Sequence, residues 1–178
     1  MRHGFVKTCA ITPKIRVADT VYNGQIIMDS MEEASKAGAK LVVFPELCIT
    51  GYTCGDLFWQ NKLITAAKEE LMKIAEKSRE LDGIFFVGLP YDINGKIYNM
   101  AAAVSGGEVI GMVPKTYIPN YNEFYEARYF TSGQNLCTVE YLPDGTEVEV
   151  DTDLIFRCED MPQLKIAVEI CEDRKSVV

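Results

Sequence analysis

Glu46, Lys115 and Cys171 are the residues of this sequence whose side chains could divide base, cation and nucleophile work among them. Each closes an apolar run. Glu46 follows Pro45 and the run 41–44, Lys115 follows Pro114 and the run 108–113, and Cys171 ends the run 164–170. Ligands of α/β sheets sit beyond strand ends, so three strands could deliver these groups to one place. Singly, each has a plain alternative: a solvated loop carboxylate, a surface lysine and a buried structural thiol. Together they form a coherent set. A thiolate attacks a carbonyl carbon. The carboxylate serves as base to the thiol and then as acid to the departing amine. The lysine and a backbone N–H stabilise the oxyanion. Glu169, Glu172 and Asp173 lie beside Cys171, and nearby negative charge raises a thiol pKa. The attacker therefore needs Lys115 close by, or it shares one proton with Glu46 as a coupled pair.

The histidine count narrows the chemistry. The chain has one histidine, His3, at its extreme end, which argues against a Ser-His-Asp triad, a Cys-His pair or a His-rich metal site. Acid–base work near neutral pH falls to carboxylates, lysines and thiols. The six cysteines contain no CxxC pair, so no metal site is expected, and without an export signal they read as reduced thiols. The net charge of −8 shows no basic patch for nucleic acid. No run approaches the roughly 18 apolar residues of a membrane span, and the expected location is the cytoplasm.

The elements that must position these residues follow from periodicity. Residues 4–11 read as a strand, 18–38 as a helix with Ile27, Met31 and Ala34 on one face, and 40–44 as a strand buried on both sides. A second helix is expected over 61–81 and another buried strand over 83–90. Residues 97–104 and 108–113, joined at Ser105-Gly106-Gly107, read as a hairpin. Residues 115–135 are aromatic and irregular, a long functional loop with one helical turn. Short strands follow near 137–141, 147–150 and 153–157, and 164–171 reads as a further buried strand. Helices between strands, then hairpins, predict an α/β layer fold with a mixed sheet.

Three segments carry a family resemblance: VVFPELCITGYTCGDLF, GMVPKTYIPNYNEFYEARYF and VEICED. They resemble, in order, the glutamate, lysine and nucleophile segments of the nitrilase (carbon–nitrogen hydrolase) superfamily. TGYTCGDLF, PNYNEFYEARYF and EICED are similar to the N-terminal glutaminase domains of the glutamine-dependent NAD⁺ synthetases. The resemblance implies a nitrilase-type α-β-β-α sandwich, with mixed sheets and flanking helices. It implies Glu46 as general base and acid, Lys115 as stabiliser of the tetrahedral intermediate, and Cys171 as the nucleophile that forms a thioester with glutamine. It implies that the N–H of Glu172 completes the oxyanion hole and that Tyr121 lines the substrate pocket. A further catalytic glutamate past the lysine is implied, with Glu123 as first choice and Glu126 as second.

The glutaminase step implies no cofactor, whereas ATP and Mg²⁺ belong to a synthetase domain that this sequence lacks. The implied partners are glutamine, that synthetase domain and further copies of the chain in a homo-oligomer. The similarity covers residues 4–173, within a domain portion drawn at 1–173. Residues 174–178 do not match the CEDLW-type continuation of relatives and read as an unrelated tail, so the sandwich is expected to be incomplete at its C-terminal side. Two other readings stay open: a stand-alone amidase for another small amide, and a catalytically silent truncated chain that only assembles.

Overall fold

The computed structural model describes residues 4–176. Strands β1 (Thr8–Ala10), β2 (Leu41–Val43), β3 (Ile84–Ile93), β4 (Lys96–Ser105), β5 (Glu108–Pro114), β6 (Cys137–Tyr141) and β7 (Glu147–Asp151) form one mixed sheet, in the order β1-β2-β3-β4-β5-β7-β6. The first three are parallel, because helices α1 (Thr20–Lys36) and α2 (Asn61–Ser78) make the crossovers between them. β3, β4 and β5 then run antiparallel. Both connections are two-residue turns with positive φ at each residue, Asn94-Gly95 (52° and 75°) and Gly106-Gly107 (61° and 94°). That geometry matches the twist of the flanking strands. The second turn was expected. The first extends β3 three residues past Pro90, and its Asn-Gly signal lies plainly in the sequence.

Both helices cover one face of the sheet. Ile27, Met31 and Ala34 of α1 and Ala67, Leu71, Ile74 and Ala75 of α2 share a core with Phe85, Val87, Leu89, Tyr91 and Ile93 of β3. The spacing is helical on one side of this layer and alternating on the other, as the two geometries require. Asp19 caps α1 by accepting from the N–H of Tyr22 at 3.1 Å, so the helix begins at Thr20 and not at residue 18. Asn23 of α1 is buried and reaches down to the carbonyl of Ile49 at 3.0 Å, which fastens the loop after β2 to the helix.

The opposite face is covered differently from expectation. Phe86, Ala103 and Val113 pack there against Phe156, Leu154, Ile166 and Val168. The segment 164–171 is not a buried strand. Only Lys165–Ile166 (β9) is extended and paired, antiparallel to β8 (Phe156–Arg157). Ile166, Val168 and Ile170 are at least partly buried while Lys165, Ala167 and Glu169 are exposed, the alternation of a chain packed on one side. Of the expected four layers, the described residues form one helix layer, the seven-stranded sheet and this β8–β9 pair. Residues 174–176 continue the short 3₁₀ helix Cys171–Ser176. His3 and the end of the 174–178 segment lie outside the described residues.

Candidate active site

Glu46 is held by a turn that only glycine permits beneath it. β2 ends at Val43, and Phe44 N still donates to Phe86 O at 2.9 Å. The chain then turns: Leu47 has φ +52°, and Gly51 N donates to Leu47 O at 2.7 Å. This turn lies against Gly88 of β3. A Cβ on Gly88 would stand 2.3 Å from Leu47 N and 2.8 Å from Pro45 O, so any side chain there would lift the turn off the sheet. Cys48 secures it, its Sγ accepting from Gly88 N at 3.3 Å and donating to Gly88 O at 3.6 Å. Burial pushes the Cys48 thiol up to about 12. It stays protonated and structural.

Lys115 continues the β4–β5 ladder, its N–H donating to Asn99 O at 2.8 Å. Its side chain has 0 % exposure. Nζ donates to Glu46 Oε1 at 2.6 Å and to Glu126 Oε1 and Oε2 at 2.9 and 2.8 Å. Glu126 is buried too and also accepts from Tyr52 OH at 2.7 Å. The carboxylate on the lysine is therefore Glu126, the second choice of the sequence reading, while Glu123 is exposed. Position in an irregular loop does not report which side chain points inward. Here the short 3₁₀ helix Glu126–Arg128 turns Glu126 in and sends Arg128 out to Asp56 at 2.9 Å.

Charge balance holds this cluster. Burial pulls the Lys115 pKa down, but the hydrogen bonds that Nζ donates to Glu126 and Glu46 outweigh it, and the net shift is upward. Burial pushes the Glu126 carboxyl up, against the pull of Lys115 and Tyr52. Burial, and then the bond to Glu126, raises the Tyr52 phenol. A buried lysine cation thus stands between two carboxylates, with a neutral phenol as a further donor.

Cys171 begins its 3₁₀ helix with φ +48°, a strained conformation for a residue with a side chain. It lines a cavity of about 90 Å³ together with Glu46, Phe44, Gly88 and Ile170. Partial burial is the first cause that raises its thiol pKa. The charge of Glu46 adds to this, Lys115 opposes it, and Glu126 and Glu172 add smaller amounts. The upward direction matches the sequence reading, but the chief negative neighbour is Glu46 and not the flanking acids.

Asp173 has a different task. Its Oδ1 accepts from Thr116 N at 3.0 Å and Tyr117 N at 2.7 Å, and its Oδ2 accepts from Ile170 N at 3.2 Å. It ties the cysteine turn to the backbone just past Lys115. Tyr121 OH donates to both carboxylate oxygens of Glu172 at 3.0 Å, so these two residues meet beside the cysteine.

A larger cavity of about 570 Å³ lies beside β8 and β9 and contains none of these residues. Glu46 and Cys171 line the smaller one. Among the described residues no group of three or more His, Cys, Asp and Glu side chains could hold a metal ion, and no helix is long and apolar enough to cross a membrane. Sequence reasoning passed over three residues. In the sequence Tyr52 is visible only as part of a motif, Asp173 only as a charge, and Asn99 only as a member of an apolar strand. A buried amide needs a partner, so Asn99 at least carried a signal.

Known proteins resemble this chain in sequence and in fold. A family model described as carbon–nitrogen hydrolase matches residues 7–176. The glutamine-dependent NAD(+) synthetase of Mycobacterium tuberculosis (strain ATCC 25618 / H37Rv) is 36% identical over 172 residues, covering 97% of this chain and 25% of that protein. The synthetase of the same name from Mycobacterium leprae (strain TN) is 32% identical over 170 residues, 96% of this chain and 25% of its own length. The crystal structure of a glutamine-dependent NAD(+) synthetase from Cytophaga hutchinsonii superposes with a TM-score of 0.85 at 31% identity, over 94% of this chain and 28% of that one. An amidase from Nesterenkonia sp. shares the fold, with a TM-score of 0.63 at 22% identity, over 85% of this chain and 56% of its own. The chain spans about a quarter of the length of the synthetases it matches.

Proposed function

The chain belongs to the carbon–nitrogen hydrolase family, and from this we propose that it hydrolyses the side-chain amide of glutamine through a thioester on Cys171. Cys171 is protonated at rest, because burial and Glu46 raise its thiol. Glu46 takes that proton as sulfur attacks the amide carbon. Lys115, together with the N–H of Glu172, stabilises the oxyanion. Glu46 returns the proton to nitrogen, the C–N bond breaks, and ammonia leaves. Water, deprotonated by Glu46, then cleaves the thioester to glutamate and restores the thiol. Glu126 keeps Lys115 charged and aimed at the reacting oxygen. Tyr121 borders the glutamine pocket. The ammonia serves the amidation of deamido-NAD⁺ by an ATP- and Mg²⁺-dependent synthetase domain.

The observation that carries this reading is the fully buried Lys115 shared between Glu46 and Glu126 at 2.6–2.9 Å, beside the cavity that Cys171 lines. A cationic lysine at that depth is expensive unless paired, and two carboxylates do more than a surface role would need. The identity to glutamine-dependent synthetases supports glutamine over other small amides. The test is labelling with a diazo-oxo-norleucine, mapped by peptide mass. Modification of Cys171 alone among the six cysteines, suppressed by glutamine and abolished in Cys171→Ala, is expected. Labelling spread over several thiols, or unaffected by glutamine, would sink the reading. Ammonia release from glutamine compared with simple aliphatic amides separates a glutaminase from a general amidase.

A further inference from the structure

Asn99 lies in β4 opposite Pro90 of β3 and is 1 % exposed. Two of the three site segments meet on it. Its main-chain carbonyl accepts from Lys115 N at 2.8 Å, and its Nδ2 donates to Glu46 Oε1 at 2.6 Å. The same Oε1 accepts from Lys115 Nζ at 2.6 Å. Among the described residues no hydrogen bond reaches Glu46 Oε2.

The other end of the amide is idle. Asn99 Oδ1 is buried and has no hydrogen-bond partner among the described residues. Turning the amide over would set Oδ1 against a carboxylate oxygen, so the donor must face Glu46 and the acceptor must go without. An apolar side chain would suit this strand position better, because a buried unpaired acceptor is destabilising. Departures of this kind from good packing mark functional positions.

We propose that Asn99 is a positioning residue: together with Lys115 it pins Oε1 of Glu46, leaving Oε2 to take the Cys171 proton and hand it to the departing ammonia. This rests on the reading of Glu46 as proton carrier. Asn99 is not among the residues that line the cavity with Cys171. It acts by fixing the carboxylate plane, so its loss falls on the rate of the chemical steps and not on glutamine binding.

The test uses the full chain with Asn99→Leu, which keeps the number and branching of the side-chain heavy atoms and removes both polar ones, and Asn99→Asp, which keeps the shape and removes the donor. Three quantities are read: the melting temperature, kcat and KM for glutamine hydrolysis, and the alkylation rate of Cys171 by chloroacetamide. In that reaction sulfur displaces chloride and the thiol gives up its proton. In Asn99→Leu the melting temperature should hold or rise, kcat should fall on the order of 10²-fold as for a misplaced catalytic group, and KM should change little. Alkylation should slow as it does in Glu46→Gln. A kcat close to that of the parent in both variants would overturn the proposal. So would a melting temperature far below the parent's in both, since the amide would then serve the sheet. If the parent releases no ammonia from glutamine, the substrate reading fails, and the alkylation rate still judges Asn99. Slowing matched to Glu46→Gln supports the proposal, and a rate equal to the parent's rejects it.

Discussion

Lys115 is the residue on which the site's electrostatics turn. It is the cation between Glu46 and Glu126, and removing one partner of a buried ionic set costs more than the set contributes. Lys115→Met should therefore destabilise the fold by about 3–5 kcal/mol at neutral pH. Glu126 is already pushed up by burial, so it gains a proton early on acidification and the repulsion in the variant fades. The deficit, measured by urea unfolding at neutral and at mildly acidic pH, should be smaller at the acidic one. A deficit equal at both would place the damage in packing instead. Glu46→Gln tests the other half of the pair. It keeps the shape and deletes the base, so glutamine turnover should fall by about 10²–10⁴-fold with the melting temperature little changed. Turnover within a few-fold of the parent would mean that Glu46 carries no proton.

At the scale of elements, the site depends on two places where loops are tied to the sheet. The first is the turn carrying Glu46, seated on Gly88. Gly88→Ala puts a methyl group 2.3 Å from Leu47 N, which backbone cannot avoid by a rotamer change. We expect a loss of about 3 kcal/mol, the upper range for overpacking, with turnover lost as Glu46 is displaced. An alanine variant as stable as the parent would show that the turn can lift freely. The second is Asp173, whose carboxylate accepts from the N–H groups of Thr116, Tyr117 and Ile170. Asp173→Ala strands these donors and should cost about 1–3 kcal/mol. It should also bring early protease cleavage between 115 and 125 or near 171. Cleavage unchanged from the parent would show that the two loops hold without the clamp.

For the whole molecule, buried groups set the response to alkali. Burial raises the Cys48 thiol from 9.0 to about 12 and the Tyr91 phenol from 10.0 to about 12. The unfolded chain loses these protons first, so stability must fall as pH rises from 9.0 towards 12. Each group contributes up to about 1.4 kcal/mol per pH unit across its window. Lys115 acts in the same direction. Its folded pKa lies above 10.5, so its contribution is complete below that value and disappears as pH passes its folded value. Against a total of about 5–15 kcal/mol, unfolding should set in well before pH 12. Melting curves from about pH 8 to about pH 11 should fall steadily, less steeply at first in Cys48→Val. A flat profile would mean that these groups reach solvent.

Much of this protein could be read from residue order alone. Periodicity placed α1, α2 and the strands flanking them, because a face buried against a layer must repeat at 3.6 or at 2. The Gly106-Gly107 turn showed in its residue types, since few others accept positive φ. Glu46, Lys115 and Cys171 stood out as polar residues closing apolar runs, and the motifs around them carried the family. What residue order could not tell was which groups touch. Glu123 and Glu126 differ by one turn of an irregular loop, and only the folded loop decides which of them faces inward. Asn99 looked like one more strand residue, and Asp173 like one more surface charge. The strand expected over 164–171 shrank to two paired residues, because alternation along a segment says nothing of the partner it will find. Contacts between segments 50 to 70 residues apart are set by packing in three dimensions. Identity and period are local properties, and a local pattern cannot encode a distance across the sheet.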